Sequence, residues 1–224
     1  WAANFSLNLG NNFNVSKTSN MSNMFRLIGY NATDFSLDLG NNFNTSSAIN
    51  MDSMFRAAGF TAPSVSLNLG DKFDTSNVTT MSYMFSSFGS SATSLNLDLG
   101  NNFNTTKVQL MQSMFFNIGS SVPNFTLTLD DNFDTSNVTD MRTMFANMGY
   151  YSNSFSLNLG NSFNTSKVEL MNGMFGNMAY TAETVNLNLG DNFDTSNVTS
   201  MALMFNRTGY TATNFSLNLG NNFN

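Results

Sequence analysis

Apolar and polar positions recur along this chain with a fixed period of thirty residues. Leu9, Leu39, Leu69, Leu99, Leu129, Leu159, Leu189 and Leu219 keep that spacing, and so do Phe13, Phe43 and Phe73. Met-Phe pairs stand at Met24-Phe25, Met54-Phe55, Met84-Phe85, Met114-Phe115, Met144-Phe145, Met174-Phe175 and Met204-Phe205. No insertion or deletion interrupts the series. Seven units (1–30, 31–60, 61–90, 91–120, 121–150, 151–180 and 181–210) are followed by a partial one, 211–224. A fixed period of this length signals a repeat array, and a stack of coils tolerates length changes poorly because each coil lies on the last. The whole of 1–224 is therefore expected to form one solenoid domain.

Within a unit two patterns alternate. Phe5, Leu7 and Leu9 are apolar while Ser6 and Asn8 are polar, and Val65, Leu67 and Leu69 repeat this around Ser66 and Asn68. Alternation with period two predicts a half-buried strand. Gly10 or its equivalent follows in every unit except the fifth, where Asp130 stands, and an Asn/Asp cluster completes a turn signal. Met21, Met24, Phe25 and Ile28 then fall at i, i+3, i+4 and i+7, which predicts one face of a two-turn helix. Asn20, Asn50, Thr80, Asp140 and Ser200 suit its N-cap, and Gly29, Gly59, Gly89, Gly119, Gly149 and Gly209 suit a left-handed end. Val78, Val138 and Val198 are expected to point inward from a short extended segment between the two patterns. The resulting fold class is α/β: a leucine-rich-repeat-like solenoid of 30-residue coils, each carrying a parallel β-strand and a short helix.

The polar columns sharpen this picture. In an in-register stack, equivalent positions lie one above another about 4.8 Å apart, where like charges repel. From Asp74 onward the fourteenth position alternates Asp74, Asn104, Asp134, Asn164, Asp194, so no two carboxylates are neighbours. The seventeenth alternates in the opposite sense, Asn77, Lys107, Asn137, Lys167, Asn197. The eighth separates Asp38 from Asp98 by Asn68. Ladder electrostatics and a 60-residue duplication history both produce such alternation.

Composition narrows the chemistry. Hydrophobic residues make up 41%, enough for a core, whereas charged residues are only 10%. The net charge of −6 disfavours nucleic acid as a partner. No apolar run reaches the length of a membrane span. The chain opens and closes inside a unit with no leader peptide, which reads as a segment of a longer array. Cysteine and histidine are absent, and no base is placed beside the many Ser and Thr, so no catalytic residue and no enzyme activity are expected. The Met and Phe columns spread along the array rather than converge, so core packing is favoured over a soft-metal or cofactor box. Asp130, Asp131 and Asp134 raise the question of calcium, but the loop lacks EF-hand spacing and most units replace its acids by Asn, so a solvated turn is favoured. No metal and no cofactor are assigned. Thirteen Asn-X-Ser/Thr sequons, among them Asn77, Asn137 and Asn197, would imply surface glycans in a secreted protein, but chance supplies many of them in a chain so rich in these residues.

The stretches Phe73-Asp74-Thr75-Ser76-Asn77-Val78-Thr79-Thr80-Met81-Ser82-Tyr83-Met84-Phe85 and Asp134 to Phe145 resemble the BspA-like leucine-rich-repeat surface proteins, whose tandem units carry F-D-T-S-x-V-T-x-M-x-x-M-F before a short strand. The resemblance covers the whole chain, although the 30-residue unit is longer than the family's usual one. It implies a bacterial surface or secreted protein associated with adhesion to host matrix or other cells, and it implies no catalytic residues.

Three functions follow as expectations. The first is a non-enzymatic extracellular structural or adhesive element, with a polar strand face of Ser6, Asn8, Ser36, Asp38, Ser66, Asn68, Asn96, Asp98, Ser156 and Asn158 as the candidate binding surface for host matrix, a cell surface or a glycan. The second is a filament subunit that self-associates end to end through uncapped coils. The third is a repetitive ice- or glycan-binding face, disfavoured by the mixture of Ser, Asn, Asp and Thr in its columns.

Overall fold

Each period-two segment becomes a strand, and each strand lies on its equivalent thirty residues away. The computed structural model describes residues 3–100, 102–129 and 132–223. Its strands are β1 (Phe5–Asn8), β2 (Asp34–Asp38), β3 (Ser64–Asn68), β4 (Ser94–Asn96), β5 (Asn124–Thr128), β6 (Ser154–Asn158), β7 (Thr184–Asn188) and β8 (Asn214–Asn218). All pairing is parallel and in register: Phe35 lies opposite Phe5 and Val65, Leu37 opposite Leu7 and Leu67. The strands form two four-stranded sheets, β1-β2-β3-β4 and β5-β6-β7-β8. A second parallel ladder, one residue wide, continues past the break between them, from Asn20↔Asn50 through Thr80↔Leu110 and Leu110↔Asp140 to Leu170↔Ser200. The architecture is a parallel β-solenoid.

The expected helix is absent. Among the described residues no helix occurs, and the segment beginning at Met21 is a run of turns. The hydrogen bonds show why. The N–H groups of Met21, Asn23, Phe25 and Leu27 donate to the carbonyls of Asn50, Asp52, Met54 and Arg56 in the next coil, at 2.8 to 2.9 Å. Those between them close local turns, Met24 to Met21, Arg26 to Asn23 and Ile28 to Phe25. A helix would keep all these bonds within one coil and would be about 10 Å wide, twice the spacing of the strands it must follow. Tyr30 and Phe60, on the turn side, stack at only 4.8 Å between ring centroids. An isolated two-turn helix would also be marginal.

The apolar spacing survives the change because the turns repeat every four residues. Left-handed residues at Asn23 (φ 60°) and Leu27 (φ 60°) return the chain inward, so Met21 and Phe25 are buried as a helical face would be. The expected caps serve these turns: Asn20 Oδ1 accepts the Ser22 N–H at 3.0 Å, and Gly29 has φ 57°.

The core is built of columns. Phe43, Phe73, Phe103, Phe133, Phe163 and Phe193 stack at 6.3 to 6.5 Å with nearly parallel rings. Phe55, Phe85, Phe115, Phe145 and Phe175 form a second column at 5.4 to 5.9 Å. Met51, Met54 and their equivalents up to Met171 and Met174 fill the space beside it, fully buried, whereas Met24 in the first coil is exposed. Val78 and Val138 are fully buried as expected, whereas Val198, in the last complete coil, is half-buried. Among the described residues no helix is long and apolar enough to cross a membrane.

Candidate functional site

The polar face of the strands is the surface that the alternation turns outward. The structure brings Ser6, Ser36 and Ser66 into one column, since Ser6 pairs with Ser36, Ser36 with Ser66, and Ser66 with Asn96. The Asn96 side chain lies outside what is described. Asn8, Asp38 and Asn68 form the neighbouring column. Ser156 and Asn158 belong to the second sheet, where they lie between Thr126 and Asn186 and between Thr128 and Asn188. Asp98 falls beyond β4 and has no strand partner. The ten candidate residues therefore form two separate groups.

The two columns differ in chemistry. At the eighth position the side chains bond to each other. Asn8 Nδ2 donates to Asp38 Oδ2 at 2.8 Å and Asn68 Nδ2 donates to Asp38 Oδ1 at 3.0 Å. In the second sheet Asn188 Nδ2 donates to Asn158 Oδ1, and Asn218 Nδ2 to Asn188 Oδ1. The Oδ1 atoms of these residues accept from the following turn: Gly10, Gly40 and Gly70 donate their N–H to Asn8, Asp38 and Asn68. These groups are largely spent on holding strand ends together. At the sixth position, Ser6 and Ser66 are exposed and Ser36 and Ser156 half-exposed, with no side-chain hydrogen bond to any of the described residues. Their hydroxyls keep both donor and acceptor capacity for solvent or a ligand.

The alternating Asp and Asn at the fourteenth position share one task. Asp74, Asn104, Asp134 and Asn164 each accept, through Oδ1, the N–H two residues on, at 2.8 to 2.9 Å. Asp194 does the same with Ser196, and the Ser196 side chain and N–H together hold its carboxyl below the usual carboxylate range. Asp134 is thus engaged in a turn; Asp130 and Asp131 lie outside the described residues.

Lys at the seventeenth position does not pair with these acids. Lys107 Nζ donates to Asn77 Oδ1 at 2.6 Å and Lys167 Nζ to Asn137 Oδ1 at 2.7 Å. Asn77, Asn137 and Asn197 turn their own Nδ2 to the carbonyls of Ser46, Thr106 and Ser166. A glycan on any of these three amides would displace that bond.

Two features escaped the sequence reading. Thr45, Thr75, Thr105, Thr135 and Thr165 form a buried hydroxyl column, each donating to the carbonyl of the fourteenth residue in the next coil at 2.7 to 2.8 Å. A threonine at an inward position in successive units was the available signal. On the turn side, Arg142 donates to Asp140 through Nη2 at 2.7 Å, and that bond and charge raise the guanidinium pKa. Arg142 also reaches Gln112 Oε1, Gln112 reaches the Tyr83 hydroxyl, and Arg56 lies 5.0 Å over the Tyr83 ring. This chain of contacts joins four coils, but Tyr83, Gln112, Asp140 and Arg142 each occur at their position in one unit alone, so no column revealed it.

Neither a curated protein nor a solved structure matches the chain. The model of one family matches three overlapping stretches, residues 1–71, 60–121 and 120–224. The chain belongs to that family, described as "Mycoplasma protein of unknown function, DUF285".

Proposed function

We propose that the chain is a non-catalytic structural or adhesive element of the cell exterior that binds through the sixth-position column of its strand face. One observation carries this reading: Ser6, Ser36 and Ser66 lie in register on a hydrogen-bonded parallel sheet, and their hydroxyls have no hydrogen-bond partner among the described residues. Hydroxyls repeated at strand spacing suit a ligand that is itself repetitive and rich in hydroxyl or amide groups, such as a glycan chain or an extended matrix protein. Each contact is weak, and affinity comes from repetition. The resemblance of the Phe-Asp-Thr-Ser-Asn-Val-Thr stretch to BspA-like surface proteins points the same way. The test is retention of the purified chain on glycan arrays and matrix-coated surfaces, alongside Ser36→Arg/Ser66→Arg. Retention of the native chain, reduced about tenfold or more in the double variant at unchanged circular dichroism, is expected. No retention of the native chain on any of these surfaces, or equal retention of both proteins, overturns the proposal.

A further inference from the structure

The return loops of the fifth, sixth and seventh coils carry an aromatic ridge. Tyr150 stacks on Tyr180 at 4.7 Å between ring centroids, and Tyr180 on Tyr210 at 5.0 Å, with interplanar angles of 5° and 10°. Tyr151 stands at 70° to Tyr150, 4.6 Å away. Tyr151 is 62% exposed and Tyr210 64%. None of the four phenol hydroxyls bonds to any of the described residues.

The repeat supplies its own controls. At the thirtieth position the third and fourth units carry Ser90 and Ser120, both buried. The coils still join there, since the Tyr151 N–H donates to the Ser120 carbonyl at 2.7 Å. At the next position Tyr151 stands where Asn31, Thr61, Ser91 and Ser121 precede it and Thr181 and Thr211 follow. Trp1, at the same position of the first unit, lies outside the described residues. The stack therefore does not need these rings, and rings left mostly in water add little to folding. Contiguous exposed aromatic surface rimmed by polar groups is the mark of an interaction site.

The surroundings set the chemistry of the partner. Tyr180 is covered on both ring faces by its neighbours, so the ladder offers ring edges and hydroxyls. Tyr151 is turned out of the stacking direction and offers a ring face. Exposed Thr181 and Thr211 continue its column. Their hydroxyls donate to the Tyr150 and Tyr180 carbonyls at 3.2 and 3.4 Å and keep lone pairs free to accept. An uncharged ring face beside hydroxyls repeated at coil spacing fits a neutral sugar chain. A pyranose with equatorial substituents turns its axial C–H groups to an aromatic face and its hydroxyls to the edge. Each sugar of a β-linked chain advances by close to one coil spacing, so successive sugars meet successive coils.

We propose that Tyr150, Tyr151, Tyr180 and Tyr210 form a binding site for a neutral β-linked glucose or N-acetylglucosamine chain. Tyr151 is the stacking platform, and the ladder hydroxyls with Thr181 and Thr211 hold the sugar edges. The site is independent of Ser36 and Ser66, which lie in the first sheet, whereas these loops lead into β6, β7 and β8.

Isothermal titration of the full chain with cellohexaose and with chitohexaose tests this, with gelatin as the protein comparison. Saturable binding of at least one sugar is expected. Tyr151→Thr and Tyr180→Ser install residues that other coils carry at the same positions, so the fold is kept, as unchanged circular dichroism would verify. Each weakens sugar binding about fivefold or more. Ser36→Arg/Ser66→Arg binds the sugars as the native chain does. No binding of either sugar by the native chain overturns the proposal, and so do tyrosine variants that bind like the native chain. Loss in the serine double variant with none in the tyrosine variants supports the strand-face reading and overturns this one. Tyrosine-dependent binding of gelatin but of neither sugar makes the ridge a protein site and overturns it as well.

Discussion

The Thr75 hydroxyl donates to the Asn104 carbonyl at 2.7 Å and accepts the N–H of the same residue at 2.7 Å. One side chain thereby satisfies both backbone groups of its neighbour in the next coil. Thr45 treats Asp74 in this way and Thr165 treats Asp194. The hydroxyls are buried, so their loss cannot be repaired by bulk water.

Thr75→Val keeps the shape and removes both bonds. Leaving a buried backbone donor and acceptor unpaired costs about 1–3 kcal/mol each where nothing replaces the partner. The first coil shows a partial replacement: it carries Val15, and the Asn44 N–H turns to the Asn42 carbonyl at 2.8 Å. The expected loss for Thr75→Val is therefore about 2 kcal/mol, near the lower end of the two-group cost. Thr75→Ser, which keeps the hydroxyl, loses less than half as much. Urea unfolding at neutral pH measures both, and equal midpoints for the two variants would show that the hydroxyl column contributes nothing.

The fourteenth-position column gives a second, opposite pair of variants. Asn104 and Asp134 make the same turn contact, so exchanging Asp and Asn leaves the hydrogen bond in place and changes charge alone. Asn104→Asp sets three carboxylates in succession, Asp74, position 104 and Asp134. At a coil spacing of about 5 Å and with solvent access, the repulsion is about 1 kcal/mol at low salt and is screened at high salt. Asp134→Asn removes a charge that has no acidic neighbour in its column and should fall within about 0.5 kcal/mol of the native chain. Thermal midpoints in low and high salt separate the cases. A deficit for Asn104→Asp that salt does not reduce would place the cause elsewhere.

The strand half of each coil was legible because alternation reports burial directly, and Phe35, Leu37 and Leu39 are all buried where it put them. The in-register stacking was legible from the Asp/Asn alternation, and Lys107 and Lys167 bond the asparagines that alternate with them in the same column. The turn half was misread because a four-residue turn repeat buries the same positions as a short helix. Which carbonyl an N–H will choose, one in its own coil or one in the next, is a property of the stack and not of a single unit. One trace of it did stand in the sequence. Asn117, Asn147 and Asn177 occupy the left-handed position, and asparagine tolerates that conformation better than most residues. For the candidate face, sequence placed Asn8 and Ser6 together as outward polar residues. Only the hydrogen bonds separate the engaged asparagine from the unengaged serine.

Those left-handed residues yield the third prediction. Leu203 has φ 61° and is 69% exposed, so it bears the steric cost of the conformation and gains little burial in return. That cost is about 1–2 kcal/mol for an L-residue other than glycine. Gly173 fills the equivalent position one coil earlier with φ 61°, so glycine is compatible with the turn. Leu203→Gly removes the strain but makes the unfolded chain more flexible, which costs about 0.4–1 kcal/mol. The balance is a gain of about 0.5–1 kcal/mol, opposite in sign to the usual effect of glycine in a helix, where it destabilises by about 1 kcal/mol relative to alanine. Leu203→Ala is the companion variant: it retains the Cβ and its strain and should not exceed native stability. Denaturant midpoints for the two decide the point. A glycine variant less stable than the alanine variant is the result a helix would give, and it would contradict the stacked-turn backbone at this position.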